Sequence, residues 1–541
     1  MRTVEKCKGH PLAIKVIESV LRVRAMTTTA WDDFFSSSMW SDYVMSALLL
    51  SSASDVISAL ELNNPPDVKS AIWLNVPDEV IAALWLSYMD LPLYLKSCFL
   101  YCSLFHADNE ISRTDLTRMW IAEGFIEEDG KQSMEDLAEA YHEELVARNL
   151  FQVVDTRKIG SFFVVNVWCK VHDLVRQMAI SVSLWQKDTM KPRRLSTTSV
   201  DDIEALNEST PLRSLLVFDK IMTEMPQGIF DKLRYLRVLN LQRTSIKHLT
   251  DSIGNLIQLR YLNLSNAPIG KLPDSLCNLR YLQTLLLRDC TSLEKLPKDL
   301  RHLQKLRHLM VDNMMMPAGI GELEHLQTLD VFRLHNDNQN NGGEGSQDDN
   351  EKEVGSNIHE LESLSQLRCL KIKGLENVRS GAEAKKAAMH DKTQLRILVL
   401  SWNDVSGGVD EGEKKRMEEV LKELCPCPSL QVLQVWGFGG WELPSWIMRS
   451  TSYHSFESLE YLNLVHVNFI QRLPSLRQFP QLKEFHIEDN DGIVDIGWDL
   501  VWRRGKHFLQ ARSHVFHRYE RVGRMERWNG GREEEQNYKN K

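Results

Sequence analysis

The sequence contains no uninterrupted run of about 18 apolar residues, so nothing in it reads as a membrane-spanning helix. The basic start Met1-Arg2 is not followed by the apolar stretch of a secretory leader. Cysteines in useful arrangements are also lacking. Nine occur, and the only close pairs, Cys98/Cys102 and Cys425/Cys427, have no second pair at zinc-ribbon spacing. That argues against a disulfide framework and a structural metal. It favours free thiols in a reducing compartment, so a cytoplasmic protein with no membrane span is expected. Positive charge is not in surplus: the net charge is -9, opposite in sign to the basic face of a nucleic-acid binder. Only residues 501–541 are locally basic.

Catalytic patterns are missing as well. No G-x-S-x-G or H-E-x-x-H occurs. A phosphate-cradling loop needs G-x-x-x-x-G-K-[ST], so that backbone N–H groups and a lysine can surround the phosphates. The Gly-Lys pairs Gly130-Lys131, Gly270-Lys271 and Gly505-Lys506 all lack the following Ser or Thr and the preceding Gly. The expectation is a protein that is not an enzyme.

What is present is a repeat. From residue 212 a pattern L-x-x-L-x-L recurs eleven times. Leu236-Leu239-Leu241, Leu259-Leu262-Leu264 and Leu282-Leu285-Leu287 follow one another at 23-residue intervals. Leu212 opens the series, and Leu482-Phe485-Ile487 closes it. A period of 20–29 residues with this signature is the leucine-rich repeat. Alternating leucines on a short strand point one way. A single coil cannot bury its apolar edge, but stacked coils bury a continuous one. The second half of each repeat, such as Ile269-x-x-Leu272-Pro273-x-x-Leu276, supplies another apolar wall. Residues between the leucines face the opposite side, the usual binding surface of a solenoid. The candidate partner-binding residues there are Asn240, Gln242, Tyr261, Asn263, Thr284, Arg288, Trp436, Tyr461, Asn463 and His486, all expected to be exposed. Trp436, close to Phe438 and Trp441, is the candidate aromatic anchor.

Ahead of the repeats the pattern is helical and then β. Ser112-x-x-Asp115 and Ser133-x-x-Asp136 read as helix starts, and 150–155 with 162–171 read as a hairpin. Helices followed by a hairpin make a winged-helix arrangement. DNA binding is disfavoured, because the helix Asp115–Ala122 offers only Arg118 and the next helix carries Glu135, Asp136, Glu139, Glu143 and Glu144.

The run Lys96 to Phe105 (KSCFLYCSLF) with Leu116 to Ile126 (LTRMWIAEGFI) resembles the winged helix of plant intracellular immune receptors of the nucleotide-binding, leucine-rich-repeat (NLR) kind, coiled-coil type. Val171-His172-Asp173 resembles the Met-His-Asp motif that ends that domain, with Val171 in place of Met. Gly9-His10-Pro11-Leu12-Ala13 resembles the Gly-Leu-Pro-Leu-Ala motif, with His10 in place of Leu. The resemblance implies a role in plant defence. It also implies nucleotide contacts by Pro11 at the adenine of ADP, His172 at the β-phosphate and Asp173 steadying the loop, with ADP or ATP as the full-length family's cofactor and no metal expected.

The implied fold class is α/β. A leucine-rich-repeat solenoid (horseshoe) follows a helical remnant of the nucleotide-binding module and a winged helix. The expected divisions are 1–83 remnant, 84–195 winged helix, 196–335 first repeat block, 336–357 disordered polar loop, 358–500 second block and 501–541 irregular basic tail. Residues 46–80 hold about one helix and loop beyond the family pattern. The P-loop subdomain and coiled coil are expected to be missing. The expected partner is a pathogen effector or a guarded host protein, or a complete NLR in trans, and no nucleic acid. The alternatives are a nucleotide-dependent switch with its P-loop supplied by further sequence, and a non-functional truncated product.

Overall fold

The computed structural model describes residues 10–23, 78–106, 109–128, 130, 132–158, 165–185, 193–208, 210–218, 220–312, 314–334, 357–403, 410–448, 456–488, 490, 492–493 and 508–512. Residues 46–77, the 336–356 part of the polar loop, and most of the tail lie outside that set. The chain divides into two compact units. The first is Met1–Phe218 with Asp231–Asn240 and Leu259–Tyr261; the second is Asp219–Phe230, Leu241–Gln258 and Leu262–Lys541.

In the first unit α1 (Pro11–Val23) begins with proline, whose fixed φ and missing N–H suit a first helical position. Its face Ala13, Val16, Ile17 and Val20 is buried. Helices α2 (Asp78–Met89), α3 (Leu93–Tyr101), α4 (Arg113–Glu123) and α5 (Met134–Ala147) follow. Ser112 and Ser133 each accept a hydrogen bond from the backbone N–H three residues on, as the capping pattern required. Strands β2 (Gln152–Lys158) and β3 (Val165–Lys170) pair antiparallel as the expected hairpin. A third strand, β1 (Ile111–Ser112), adds to β3. Two residues are too few to leave a period-2 signal, so this strand was not legible in the sequence. Helix α6 (Asp173–Trp185) closes the domain. Trp120, Tyr101, Phe99 and Phe151 form its core.

The parallel ladder opens in the first unit with β4 (Arg194–Thr197), β5 (Ser214–Val217) and β6 (Val238–Asn240), in register Arg194↔Ser214 and Ser214↔Val238. Strand β7 (Tyr261–Asn263) straddles the division. The second unit continues with β8 (Thr284–Leu287), β9 (His308–Val311), β10 (Thr328–Arg333), β11 (Cys369–Lys373), β12 (Ile397–Ser401), β13 (Val432–Trp436), β14 (Tyr461–Val465), β15 (Glu484–Glu488) and β16 (Phe508–Arg512), each parallel to the next. The ladder therefore runs one strand beyond the leucine spacing, because Phe508, Leu509 and Ala511 take the register positions without the L-x-x-L-x-L pattern.

Leucines at the inward positions are buried throughout. Several coils then turn on a left-handed residue. Arg243, Asn266 and Asp289 have φ of 62°, 61° and 55°, at the same 23-residue interval as the leucines. Asn and Asp tolerate that region through local hydrogen bonding. Gly437 holds an equivalent turn, where an added Cβ would sit 2.8 Å from the Trp402 carbonyl oxygen. Behind the strands, Lys392 is buried, and its ammonium donates to the carbonyls of Leu361 and Leu364.

Inside the winged helix, burial holds the His142 imidazole neutral, with a pKa lowered to about 4 by desolvation first and Arg113 second. Its Nε2 lies 3.4 Å from Cys169 Sγ. A folded pKa below the unfolded 6.5 means that the unfolded chain binds the extra proton first. Stability contributed by neutral His142 is therefore full above about pH 6.5 and is lost as pH falls toward 4, by about 3 kcal/mol at the ~1.4 kcal/mol per unit of linkage. Thermal melts from pH 7 to 4 should show this loss, and His142→Leu should flatten it. An unchanged slope in the variant would assign the acid sensitivity elsewhere.

Candidate functional site

Two motifs far apart in the chain meet in the first unit. His10 precedes α1, and His172 precedes α6. The His172 pKa is lowered, chiefly by burial, with Asp173 opposing and His10 lowering it further. The two imidazoles are thus within electrostatic reach. His172 Nδ1 accepts a hydrogen bond from the Leu174 N–H at 3.2 Å, so the neutral ring carries its proton on Nε2. The neutral ring can then donate a hydrogen bond through Nε2–H. His10 Nδ1 is buried with no hydrogen-bond partner. Pro11 and Asp173 are exposed beside these rings. Helix α1 is fastened to the end of α5, where Ser19 Oγ donates to the Arg148 carbonyl at 2.8 Å and Asn149 Nδ2 donates to the Lys15 carbonyl at 3.2 Å. The Arg148 guanidinium in turn bridges Asp90 at 3.0 Å and Glu144 at 2.9 Å.

A second constellation surrounds Glu123, which sequence reasoning passed over. It is the last residue of α4, and its side chain is fully buried. A carboxylate at a helix C-terminus is disfavoured by the helix dipole, so it needs partners. Ser214 of β5 donates to Oε1, and Tyr101 OH lies 3.0 Å from Ser214 Oγ. Because Ser214 has one proton, Tyr101 donates to Ser214 and Ser214 to Glu123. Arg194 of β4 sits 3.6 Å from the same Oε1 and lies over the rings of Phe125, 4.9 Å away, and Tyr101. Arg237 donates to the Glu123 carbonyl at 2.6 Å. Gly124, left-handed at φ 86°, lets the chain turn under Arg237, whose Nη1 would lie 3.3 Å from an added Cβ. Burial and neighbouring arginines lower the pKa of Arg213 and Arg237. One carboxylate therefore anchors a crowd of arginines at the edge of the first three parallel strands.

The strand-face candidates turn out less exposed than expected. Asn240, Tyr261, Asn263, Thr284, Asn463 and His486 are buried; Gln242, Arg288, Trp436 and Tyr461 are half-buried. The reason is spacing. Neighbouring strands lie about 4.8 Å apart, so side chains at one register position wall each other in. Val432↔Tyr461↔Glu484 and Gln434↔Asn463↔His486 are such rows. Arg288 is paired with Asp330 at 2.8 Å. Trp436 packs on His466 at 5.4 Å, Phe438 is buried against Trp402, and Trp441 is the exposed aromatic, with Lys414 over its ring.

On α4, Arg118 is 6% exposed and 4.0 Å from Asp115. The single base-reading candidate thus points into the protein. No helix among the described residues is long and apolar enough to cross a membrane, and no group of three potential metal ligands occurs among them.

Comparison with known proteins agrees in both units. The family described as "Leucine-rich repeat region" matches residues 211–523, and that described as "Disease resistance protein Winged helix domain" matches 104–179. Putative disease resistance protein RGA4 of Solanum bulbocastanum is 29% identical over 499 residues, 91% of this chain and 43% of its own length. Disease resistance protein RGA2 of the same species is 32% identical over 369 residues, 67% of this chain and 34% of its own. Putative disease resistance RPP13-like protein 1 of Arabidopsis thaliana is 29% identical over 539 residues, 92% of this chain and 44% of its own. The chain thus spans less than half the length of these relatives.

Replacing Glu123 by Ala takes the acceptor from buried Ser214 and the carboxylate from half-buried Arg194, a change expected to cost about 1–3 kcal/mol. Glu123→Gln keeps the acceptor for Ser214 and is expected to cost clearly less. Urea unfolding followed by tryptophan fluorescence separates them, and equal losses would show that the charge of Glu123, not its acceptance from Ser214, carries the tie.

Proposed function

This chain belongs to the plant disease resistance proteins of the nucleotide-binding, leucine-rich-repeat kind, and we propose that it serves as the recognition part of an intracellular immune receptor. The observation that carries this reading is the joining of a resistance-type winged helix to a ladder of parallel strands whose outward rows are polar and aromatic. The strand face is the surface for a protein partner, a pathogen effector or a guarded host protein, with half-buried Arg288, Trp436 and Tyr461 as contact residues. The eight described cysteines are all free, in keeping with a reducing cytoplasm. We assign it no catalytic step.

The nucleotide residues fit one edge of a site. Pro11, His172 and Asp173 would stand against ADP, with His172 Nε2–H as donor to a phosphate oxygen and the start of α6 offering N–H groups. Bound nucleotide would bias which arrangement of a receptor is populated. The phosphate cradle is not in this sequence, so this edge acts only when further sequence completes it.

Two measurements test the reading. Calorimetric titration with ADP and ATP should give no micromolar binding. Micromolar binding abolished by His172→Ala would show the nucleotide half to be complete within this chain. A photo-crosslinkable residue at Tyr461, on β14, should capture a protein from pathogen-challenged plant tissue. The same probe at exposed Tyr281, which precedes β8, should not. Equal capture at both positions would sink the strand-face assignment.

A further inference from the structure

The loop that follows β13 brings an indole into solvent. The chain turns at Gly437, buries Phe438 against Trp402 and reaches Trp441, which is 45% exposed. The loop is braced from the helix Glu411–Glu423, which packs Met417, Val420 and Leu421 inward. One carboxylate oxygen of Glu418 on that helix accepts from the Trp441 N–H at 2.6 Å and from the Glu442 N–H at 3.1 Å. Gly440 permits this approach, since an added Cβ would sit 2.7 Å from Glu418 Cγ. Further along, Trp446 Nε1 donates to the Leu421 carbonyl at 3.3 Å and fastens the loop to the same helix. The backbone is thus held at both ends while the Trp441 ring is left partly in water.

A cation stands against that ring. Lys414 lies one helical turn before Glu418, and its ammonium is 4.9 Å from the centroid of the Trp441 ring. It is also 3.7 Å from the centroid of Phe469, a half-buried residue in the loop after β14. Both rings are within the roughly 6 Å over which an aromatic face attracts a cation. Because β13 and β14 are neighbours in the ladder, two successive coils supply the two rings, and the chain's own lysine fills the space they share. The nearby carboxylates already have work. Glu418 holds the loop, Asp410 accepts from the Glu413 N–H at 2.8 Å, and Glu413 lies 3.6 Å from Arg416. The preference for a cation therefore comes from the ring faces, whose quadrupole is negative, and not from surplus charge.

We propose that the cage of Trp441 and Phe469 takes an arginine side chain of a partner protein, with Lys414 as the occupant that it displaces. This rests on the repeats being the recognition part, and it adds one contact on the loop rim beside the strand face. The exchange has a direction. An ammonium is compact and strongly hydrated, so Lys414 gives up water between the rings and regains it on leaving. A guanidinium is planar, more weakly hydrated and suited to stacking on aromatic faces. Arginine in the cage and Lys414 in water is thus the better distribution of the two cations. A partner lysine would exchange like for like and gain little.

The test titrates the full chain into a fluorescein-labelled Arg/Ser copolymer peptide and reads anisotropy at about 150 mM salt, where attraction between distant surface charges is largely screened. Trp441→Ala should weaken binding at least about tenfold, as loss of an aromatic anchor does. Its melting temperature should stay close to that of the wild type, because the ring is exposed and the backbone N–H held by Glu418 remains. Lys414→Ala empties the cage and should strengthen binding about threefold, the scale of one exposed cation–π contact. Lys415→Ala removes the same charge from an exposed neighbouring position and should leave the affinity unchanged. A Lys/Ser peptide should bind at least about fivefold more weakly than Arg/Ser, since ammonium keeps its water more firmly. No binding of the Arg/Ser peptide, equal affinity in Trp441→Ala, no gain in Lys414→Ala, or the same gain in Lys415→Ala would each overturn the proposal. So would preferred binding of a Glu/Ser peptide that Lys414→Ala abolishes, which would make the lysine itself the contact. If Trp441→Ala binds normally but Trp436→Ala with Tyr461→Ala does not, the strand face stands and the cage is wrong. Capture of a protein at Tyr461 without any Arg/Ser binding would likewise remove the cage alone.

Discussion

Each coil of the repeat region has one apolar edge that it cannot bury by itself, and that constraint shapes most of this molecule. The inward leucines of β8 to β15 are buried because the next coil covers them. The covering coil must sit in register, since a one-residue slip in a strand would carry every leucine to the wrong face. The backbone enforces the same register: Arg260 N–H bonds to the Arg237 carbonyl at 2.8 Å, and Arg396 to Arg368 at 2.9 Å. Once core and ladder fix the strand spacing, the opposite face has no freedom of its own. Its side chains stand in rows at the strand separation, and small ones are walled in by their neighbours. Only long or bulky residues, such as Arg288, Trp436 and Tyr461, rise far enough to meet another molecule.

The first unit solves a different problem. Helix α4 ends in a buried carboxylate where the helix dipole disfavours one, and β4 to β6 begin among arginines that repel each other. Neither arrangement is favourable alone. Together, Glu123, Ser214, Arg194 and Arg237 form a network that ties the helix to the strand edge, with Glu123 Oε2 and Arg194 Nε left without a hydrogen bond. Such a network is costly when half-complete. The tie should therefore make or break as a whole, as a two-state contact must.

How much of this could be read from the residues depended on whether the signal was local. The leucine period carried the ladder because 23-residue spacing repeats often enough to be unambiguous. Ser112, Ser133 and the 150–171 alternation carried the helix starts and the hairpin because capping and pairing act over a few residues. Other features were invisible for the opposite reason. Strand β1 is two residues long, and β16 keeps only Leu509 of the repeat's leucines. Lys392 looks like any surface lysine until the carbonyls of Leu361 and Leu364 close over it. Glu123 lies in the very run that carried the family resemblance, LTRMWIAEGFI, yet its partners come from strands 70 to 115 residues further on. The exposure of Tyr261 and Asn263 was misjudged because outward-pointing was equated with solvent-exposed.

The bulge in β10 shows how a solenoid can rearrange its outer face without altering its core. The inward positions admit little besides Leu, Ile, Val and Phe, and the strand separation is fixed. One inserted residue keeps an apolar side chain inward, as Phe332 does, while moving the next side chain to the outer face. The energetic penalty is local: a disrupted pair of ladder bonds and Arg333 set against Lys373.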